Sequence, residues 1–287
     1  MQNMANGPQK RVLAIHDISC VGKCSLTVAL PIISAAGLEV PSLPTAVLST
    51  HTGGFTGFTY RDLTEDMIPI LEHWKSLGLQ FDAIYTGFLG SFEQIDIVCK
   101  IIDEVGKNAK VFVDPVMGDA GKLYSVFPDN FPEGMKRLAL KADVLLPNMC
   151  EAAFLLGEEY RPGPYTEEYI ESLLKRLSGL GPRKVVLTGV FFDDEKLGAA
   201  CYDADTGKVS FTMAEKIPEY FHGTGDVFSS AIVSAVMNGL PLDRAVEIAV
   251  DFTHGSIMRT YDAKTDVKYG VNFEAGLYDL TKEIRRC

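Results

Sequence analysis

Short segments that are apolar almost throughout alternate with helical patterns along most of the chain. The segments that predict strands are residues 11–16, 45–49, 83–86, 110–114, 144–146 and 184–188. Strands without polar alternation, separated by helices, are typical of a parallel sheet covered on both faces, because a half-exposed sheet shows a polar residue at every second position. The alternation therefore predicts a layered α/β fold.

The remaining patterns place a hairpin and several helices around this sheet. Residues 198–213 read as two strands around a tight turn, which predicts an antiparallel hairpin at one edge of the sheet. Thr64 and Thr166 each precede acidic residues, and this predicts two helix starts, since a hydroxyl caps the first turn and acids suit the positive end of the helix dipole. Residues 224–259 are helical in pattern, and residues 239–242 divide one helix from the next.

The length bounds the number of domains. A chain of 287 residues permits one large α/β domain or two small ones. No internal repeat and no linker rich in Pro, Gly or Ser interrupts it, so we predict a single domain over residues 1–287. Residues 1–10 are polar and are expected to be a disordered tail.

The composition excludes several classes of protein. With 47% hydrophobic and 23% charged residues, the chain has the composition of a globular protein rather than of a disordered or low-complexity one. A formal net charge of −11 argues against nucleic acid as a partner, because the phosphodiester backbone would repel the chain. A small anionic substrate is still allowed, since a local nest of backbone amides can hold a phosphate.

No sequence signal indicates export or a membrane. The first ten residues lack an apolar run, no window approaches 18 uninterrupted apolar residues, and the six cysteines are scattered. Scattered cysteines in a long chain favour a reducing compartment. We therefore expect a cytoplasmic protein without a membrane span.

Most of the unusual residues directly follow the predicted strands. In an open parallel sheet, ligands bind in the crevice beyond the carboxyl ends of the strands. These post-strand segments are residues 16–23, 50–59, 87–94, 115–124, 147–151, 189–194 and 222–226. We expect the functional residues there.

The sequence HGTGD at residues 222–226 directly precedes an apolar helix. Two glycines at a helix entrance allow a sharp turn that aims successive amides at one point, where the helix dipole also favours an anion. Asp226 has two interpretations at this stage. It caps the helix, or it takes a proton from a substrate hydroxyl while the amides neutralise charge on a phosphoryl group in transfer.

Five motifs, in their order and spacing, resemble those of the vitamin B6 kinases, the pyridoxal, pyridoxine and pyridoxamine kinases of the ribokinase superfamily. They are STHTG at 49–53, TGFLGS at 86–91, VDPVMGD at 113–119, PNMCE at 147–151 and HGTGD at 222–226. The resemblance implies a three-layer α/β/α ribokinase-like fold with a central, mostly parallel sheet. It also implies a homodimer that transfers the γ-phosphoryl group of ATP to the 5′-hydroxymethyl group of a B6 vitamer.

The resemblance further implies roles for the residues at matching positions. These roles are Asp226 as general base, Gly223, Thr224 and Gly225 as the anion hole, Asp114 and Glu151 as holders of Mg²⁺, Asn148, Glu151, Thr188, Asp119 and Tyr124 as contacts of ATP, and residues 119–124 as a mobile lid. Two carboxylates suit Mg²⁺, which keeps much of its hydration and bridges phosphates. Taken alone, Asp114 also reads as a strand-end cap and Glu151 as a first-turn acid that complements its helix. A monovalent cation is left open as a second ion.

The substrate side depends on four positions. The resemblance places Thr52 beside the pyridine ring and Phe88 near the pocket, and packing alone explains either residue as well. The first strand departs from the family, because many pyridoxal kinases have serine at the position of Asp17. The stretch from Asp17 to Ser19 partly resembles the related hydroxymethylpyrimidine kinases instead. A carboxylate at Asp17 would pair with a protonated ring nitrogen or with the amine of pyridoxamine.

Two other functions stay open on the sequence. A hydroxymethylpyrimidine kinase shares the transfer chemistry and differs mainly in the ring pocket. A non-catalytic vitamer-binding protein would keep the pocket, but it has little chemical need for Asp114, Glu151 and Asp226 together. Vitamer-dependent consumption of ATP separates the enzymes from the binding protein, and a panel of substrates separates the two enzymes.

Overall fold

Residues 8–286 are described by a computed structural model, in which a nine-stranded sheet lies between two layers of helices. The strands are β1 (Val12–Ser19), β2 (Ser42–Leu48), β3 (Tyr60–Asp62), β4 (Ala83–Thr86), β5 (Lys110–Val113), β6 (Gly118–Asp119), β7 (Lys122–Leu123), β8 (Val144–Leu145), β9 (Lys184–Val190), β10 (Lys196–Asp203) and β11 (Lys208–Glu215). The helices are α1 (Leu26–Ala35), α2 (Thr64–Ser76), α3 (Phe92–Val105), α4 (Phe131–Ala139), α5 (Met149–Leu156), α6 (Glu167–Ser178), α7 (Thr224–Met237), α8 (Leu242–Asp262) and α9 (Leu277–Arg286), with 3₁₀ turns at Val267–Tyr269 and Glu274–Gly276.

The large sheet has the order β11-β10-β9-β8-β5-β4-β1-β2-β3. Its six inner strands, from β9 to β2, pair in parallel. The edge strands β3, β10 and β11 are antiparallel to their neighbours. All six predicted strands are present, and the predicted edge hairpin is confirmed as β10 and β11.

Successive strand residues point into two different cores. Leu13 and Ile15 of β1 pack with helices α2 to α6, whereas Val12 packs with α1, α7, α8 and α9. This alternation follows from the two-residue period of a strand, and both faces are apolar because both are covered. The three-layer α/β/α architecture is confirmed.

Both predicted helix starts are confirmed, but only one of the two predicted caps is. The side chain of Thr166 caps α6 by accepting a hydrogen bond from the amide of Tyr169. Thr64 is instead the first helical residue of α2, and the prediction that it caps this helix is wrong. Its amide donates to Oδ1 of Asp62 at 2.7 Å, and its hydroxyl accepts from Nε2 of Gln94 at 3.0 Å instead of capping the helix. The predicted division between two helices at residues 239–242 is confirmed.

Strand β1 continues to Ser19, beyond its predicted end at residue 16. Ile18 and Ser19 pair with β2 after a register shift between His16 and Ile18. This bulge places Asp17 and Ser19 on the strand end itself rather than in the following loop, and both are buried.

The segment predicted as a loop, residues 119–124, contains a short hairpin of β6 and β7. Its two central residues, Ala120 and Gly121, have φ values of 49° and 79°. Positive φ at both central positions is typical of the tight turns that join antiparallel strands. The lid role of this hairpin stays a prediction.

Part of the predicted disordered tail, residues 1–7, lies outside the described residues. The side chain of Gln9 donates to the carbonyl of Gly37 at 3.1 Å, and that of Lys10 donates to the carbonyl of Met237 at 2.7 Å. None of the helices in residues 8–286 has the length and apolar character needed to cross a bilayer.

Candidate active site

Four acidic side chains lie at the carboxyl-terminal edge of the sheet. Asp17 is at the end of β1, Asp114 follows β5, Glu151 is in the first turn of α5, and Asp226 is in the first turn of α7. Parallel strands bring their carboxyl ends to one edge, so residues far apart in sequence meet there. Burial raises the pKa of Asp114 and of Glu151. The charge of Asp226 adds to the rise at Asp114, and the charge of Asp114 adds to the rise at Glu151, because the groups are close. The structure therefore brings Asp114, Glu151 and Asp226 into one site.

The N-terminus of α7 presents free amide groups. Its N-cap residue, Gly223, has a φ of 75°, a left-handed conformation that favours glycine. A Cβ at Gly223 would lie only 2.0 Å from the carbonyl oxygen of Lys23. No side chain of the described residues caps α7, so the amides of Thr224 and Gly225 are free to bind an anion. Gly225 is exposed, and a Cβ there would meet no neighbouring group within 4 Å, so there is space for a ligand beside this end of the helix.

Asp226 is the third residue of α7 and is not its N-cap. This position rules against the capping interpretation. The pKa of Asp226 is raised from 3.8 to about 7, chiefly by burial; the backbone of Ser25 opposes this rise, and the charge of Asp17 adds to it. A carboxyl group that titrates near neutrality can accept a proton from a hydroxyl group and release it again.

Asp114 is buried, with 7% of its surface exposed. Its Oδ2 accepts a hydrogen bond of 2.9 Å from the hydroxyl of Ser229, which stands one turn after Asp226 on α7. Burial raises the pKa of Asp114 to about 8, and the Ser229 hydroxyl works against this rise. One side chain of α7 therefore fixes Asp114 beside the helix that carries Asp226.

Glu151 and Asn148 cap α5 reciprocally. Oδ1 of Asn148 accepts from the amide of Glu151, and Oε2 of Glu151 accepts from the amide of Asn148, both at 2.9 Å. Oε1 of Glu151 also accepts from the amide of Met117 at 3.2 Å. Glu151 thus does complement its helix, and the same contacts hold its carboxylate in place beside Asp114.

The hairpin of β6 and β7 packs onto this corner of the site. The side-chain amide of Asn148 donates to the carbonyl of Gly118 at 2.9 Å, and Thr188 forms a parallel bridge with Asn148. The hydroxyl of Tyr220 donates to Oδ2 of Asp119 at 2.9 Å. Burial raises the pKa of the Tyr124 hydroxyl, and the charge of Glu151 adds to this rise. The residues predicted to contact ATP are therefore neighbours.

The acids can hold a divalent cation through a small number of ligands. No group of three His, Cys, Asp or Glu side chains among residues 8–286 forms a ready metal site. Mg²⁺ does not require one, since it is bound by one or two carboxylates together with water and phosphate oxygens. Asp114 raises the pKa of the buried Glu151, and a cation between the two groups would relieve this repulsion. The donor set therefore fits Mg²⁺.

The predicted substrate residues divide into two groups. Asp17 accepts a 3.0 Å hydrogen bond from the hydroxyl of Ser19, and the charge of Asp17 raises the pKa of Asp226. Asp17 and Ser19 therefore belong to the site. Thr52 is exposed in the loop after β2. The ring of Phe88 packs on Phe127, with centroids 5.5 Å apart. Packing therefore accounts for Phe88 in this structure.

His51 shapes the same side of the site. Its Nδ1 accepts from the amide of Gly53 at 3.1 Å, and its Nε2 lies 2.6 Å from the carbonyl of Lys268. These two contacts require a neutral ring with its proton on Nε2. Burial lowers the pKa of His51 and keeps it in that form.

Two serines beside the acids could not be identified from the sequence. Ser229 binds Asp114, and the amide of Ser25 binds Asp226. Each had a weak signal: Ser229 follows Asp226 by three positions on a helix and shares its face, and Ser25 directly precedes the helical run of α1. Neither signal identifies which acid is contacted, because the acids come from other parts of the chain.

The fold and the site together define a small-molecule kinase of the ribokinase-like class. It has a parallel sheet between helices, a glycine-rich helix N-terminus that can bind phosphate, an acid of raised pKa and a pair of buried carboxylates. The profile of the phosphomethylpyrimidine kinase family matches residues 31–271. The chain belongs to this family.

Its relatives include pyridoxal kinases. A Bacteroides thetaiotaomicron protein, provisionally assigned as a phosphomethylpyrimidine kinase and solved with pyridoxal, is 39% identical; the match covers 95% of this chain and 96% of that one, with a TM-score of 0.90. The pyridoxal kinase of Lactobacillus plantarum is 30% identical over 95% of this chain and 97% of that one, with a TM-score of 0.86. The pyridoxal kinase of Arabidopsis thaliana is 29% identical over 88% of this chain and 82% of its own length.

Proposed function

We propose that this protein transfers the γ-phosphoryl group of ATP to the 5′-hydroxymethyl group of a vitamin B6 vitamer. The observation that carries the proposal is Asp226, an acid whose pKa is raised to about 7 in the first turn of an uncapped helix, beside two buried acids. The names of the Lactobacillus and Arabidopsis relatives, and the pyridoxal in the Bacteroides structure, support a B6 vitamer as the substrate.

Asp226 is proposed as the general base. It accepts the proton of the substrate hydroxyl as the oxygen attacks phosphorus, and a positioned base of this kind contributes about 10² to 10⁴ in rate. The amides of Gly223, Thr224 and Gly225 face the charge that grows on the transferring phosphoryl group. They act without reorganisation, because the turn at Gly223 already orients them.

The nucleotide is proposed to lie over the ends of β8 and β9. Asp114 and Glu151 would hold Mg²⁺, which neutralises charge on the phosphate oxygens when it is bound. Asn148 and Thr188 would line the phosphates. The hairpin with Asp119 and Tyr124 would cover them as a lid. Whether a monovalent cation also binds is left open.

The vitamer is proposed to lie over the ends of β1 and β2. Asp17, oriented by Ser19, would contact a protonated ring nitrogen or the amine of pyridoxamine. Thr52 would approach the ring from the loop after β2, and Phe88 would border the pocket from the segment after β4.

A hydroxymethylpyrimidine kinase is the second candidate. The family name and the assignment of the Bacteroides relative favour it. Asp17 does not decide between the two rings, because a carboxylate can bind a protonated nitrogen of either.

A substrate panel tests the proposal. Purified protein is given Mg-ATP with pyridoxal, pyridoxine, pyridoxamine or hydroxymethylpyrimidine, and ADP and the phosphorylated product are both measured. We expect stoichiometric ADP and 5′-phosphate with at least one vitamer. A clear preference for the pyrimidine would replace the proposal with the second candidate. Vitamer binding without ATP consumption at saturating Mg²⁺ would favour the binding protein.

We also propose a cytoplasmic homodimer. The reaction consumes ATP, and the cysteines resolved in residues 8–286 are free thiols, as a reducing compartment favours. Light scattering at micromolar concentration tests the dimer, and a monomeric mass would contradict it.

A further inference from the structure

Ser25, the residue before α1, has a backbone conformation that serine rarely adopts. Its φ is 55° and its ψ is −131°, a combination that is unfavourable for any residue with a Cβ. Its hydroxyl does not cap α1, although capping is the usual role of serine at this position. Neither helix capping nor backbone preference explains a serine here.

The surrounding structure holds Ser25 from two sides. Ser25 is 7% exposed and forms an antiparallel bridge with Ile18, which stands between Asp17 and Ser19 on β1. Its carbonyl oxygen accepts from the amide of Ala29 at 2.9 Å in the first turn of α1. The strained conformation is therefore locked by the strand before it and the helix after it.

The segment that leads into Ser25 packs on the proposed anion hole. The carbonyl oxygen of Lys23 lies 2.0 Å from the position that a Cβ of Gly223 would take, and Sγ of Cys24 lies 3.4 Å from the same point. At this contact the backbone of Ser25 lowers the pKa of Asp226, and the hydroxyl of Ser25 lowers the pKa of Asp17, as nearby donors do. Ser25 thus contacts both acids through different groups.

We infer that Ser25 is a positioning residue that joins the proposed base, Asp226, to the proposed substrate-facing acid, Asp17. Its amide orients the carboxylate that accepts the proton, and its hydroxyl, together with that of Ser19, orients the carboxylate that faces the vitamer. Because one rigid residue makes both contacts, the spacing between the two acids is set before substrate binds. This inference rests on the proposed function and adds a residue to its machinery.

Two substitutions separate the two contacts. Ser25→Ala removes only the hydroxyl, and we expect KM for the vitamer to rise about tenfold with kcat nearly unchanged, since a hydrogen bond to a carboxylate is lost. Ser25→Gly removes the same hydroxyl and lets the backbone leave the native φ and ψ as well as adopt them, so the amide faces Asp226 only part of the time. We expect kcat to fall about tenfold and the acidic limb of its pH profile to move to higher pH, because the amide keeps the base deprotonated.

Ser178→Ala is the matched control. The hydroxyl of Ser178 donates to the carbonyl of Pro182 at 2.8 Å at the far end of α6, so this variant loses a comparable bond away from the site. If Ser25→Ala does not fold, Ser25→Gly carries the test, since glycine adopts the native φ and ψ. If the wild type phosphorylates a vitamer and both Ser25 variants match Ser178→Ala in KM, kcat and pH profile, the inference is overturned. The proposed function would still stand. A wild-type protein that phosphorylates no substrate would overturn the proposed function, and the inference with it.

Discussion

The hydroxyl of Ser229 donates a 2.9 Å hydrogen bond to Oδ2 of Asp114 in the interior of the protein. Ser229 belongs to α7 and Asp114 to the end of β5, so this bond crosses from the helix layer to the sheet. It connects the helix that carries Asp226 with an acid proposed to bind Mg²⁺. A single buried serine thereby fixes the position of Asp114 relative to the helix of the proposed base.

Substitution of Ser229 is expected to weaken the use of magnesium. In Ser229→Ala the buried carboxylate of Asp114 loses its hydrogen-bond donor, which destabilises its charged form by about 1.5 kcal/mol or more. The Mg²⁺ concentration for half-maximal rate should therefore rise about tenfold. Initial rates against Mg²⁺ concentration at saturating ATP and vitamer measure this. Ser234→Ala is the control, because the Ser234 hydroxyl is buried on the same helix but donates to the carbonyl of Ser230. Equal magnesium curves for the two variants would refute the role of Ser229.

Removal of the proposed base is expected to slow turnover without loss of nucleotide binding. Asp226→Ala should lower kcat by on the order of 10² or more, because the base acts mainly in the transition state. The affinity for ATP, measured by calorimetry, should stay close to that of the wild type. A variant with near-normal kcat would exclude Asp226 as the base.

The same carboxyl group makes stability depend on pH. The pKa of Asp226 is about 7 in the folded protein and 3.8 ordinarily, so the folded state binds the proton more tightly. Its stabilising contribution is therefore complete below about pH 4 and is lost as the pH rises to about 7. From pH 4 to pH 7 the wild type should lose about 2 to 4 kcal/mol of unfolding free energy relative to Asp226→Asn, as measured by denaturant unfolding. A constant difference between the two proteins across this range would contradict the raised pKa.

The two glycines of the anion hole are expected to differ in their response to alanine. Gly223→Ala places a Cβ against a backbone carbonyl at a positive φ, and it should destabilise the protein by about 2 kcal/mol or more. Gly225→Ala adds a methyl group that meets no protein atom within 4 Å, so it should melt like the wild type. It should nevertheless lower kcat, because the methyl group projects where the phosphoryl group is proposed to lie. Equal thermal stability of both variants would contradict the packing of Gly223.

Asp17 is expected to influence the choice among vitamers. Burial raises its pKa, and the hydroxyls of Ser19 and Ser25 oppose this rise and support the charged form. In Asp17→Ser the ratio of kcat/KM for pyridoxamine to that for pyridoxal should fall about tenfold, since a charge-assisted hydrogen bond to the amine is lost. An unchanged ratio would show that Asp17 does not select between these substrates.

Much of the sheet could be predicted from the sequence, whereas several element ends could not. The buried strands carry continuous apolar runs because both of their faces are covered, and this signal is local. The end of β1 was missed because residues 17–19 are held by pairing with β2, which no local pattern reports. The cap of α2 was misassigned because the hydroxyl of Thr64 accepts from Gln94, which is 30 residues away and which no local pattern reports.

The sequence by itself determined the layered architecture, the edge hairpin and the candidacy of Asp226, Asp114 and Glu151, because periodicity and short motifs are properties of neighbouring residues. Only the tertiary structure decided that these acids share one site and that Asp226 does not cap its helix. It also supplied Ser25 and Ser229, whose partners are remote in sequence. The physical reason is that burial and charge proximity depend on which strand ends meet at the edge of the sheet, and the chain brings them together only when it folds.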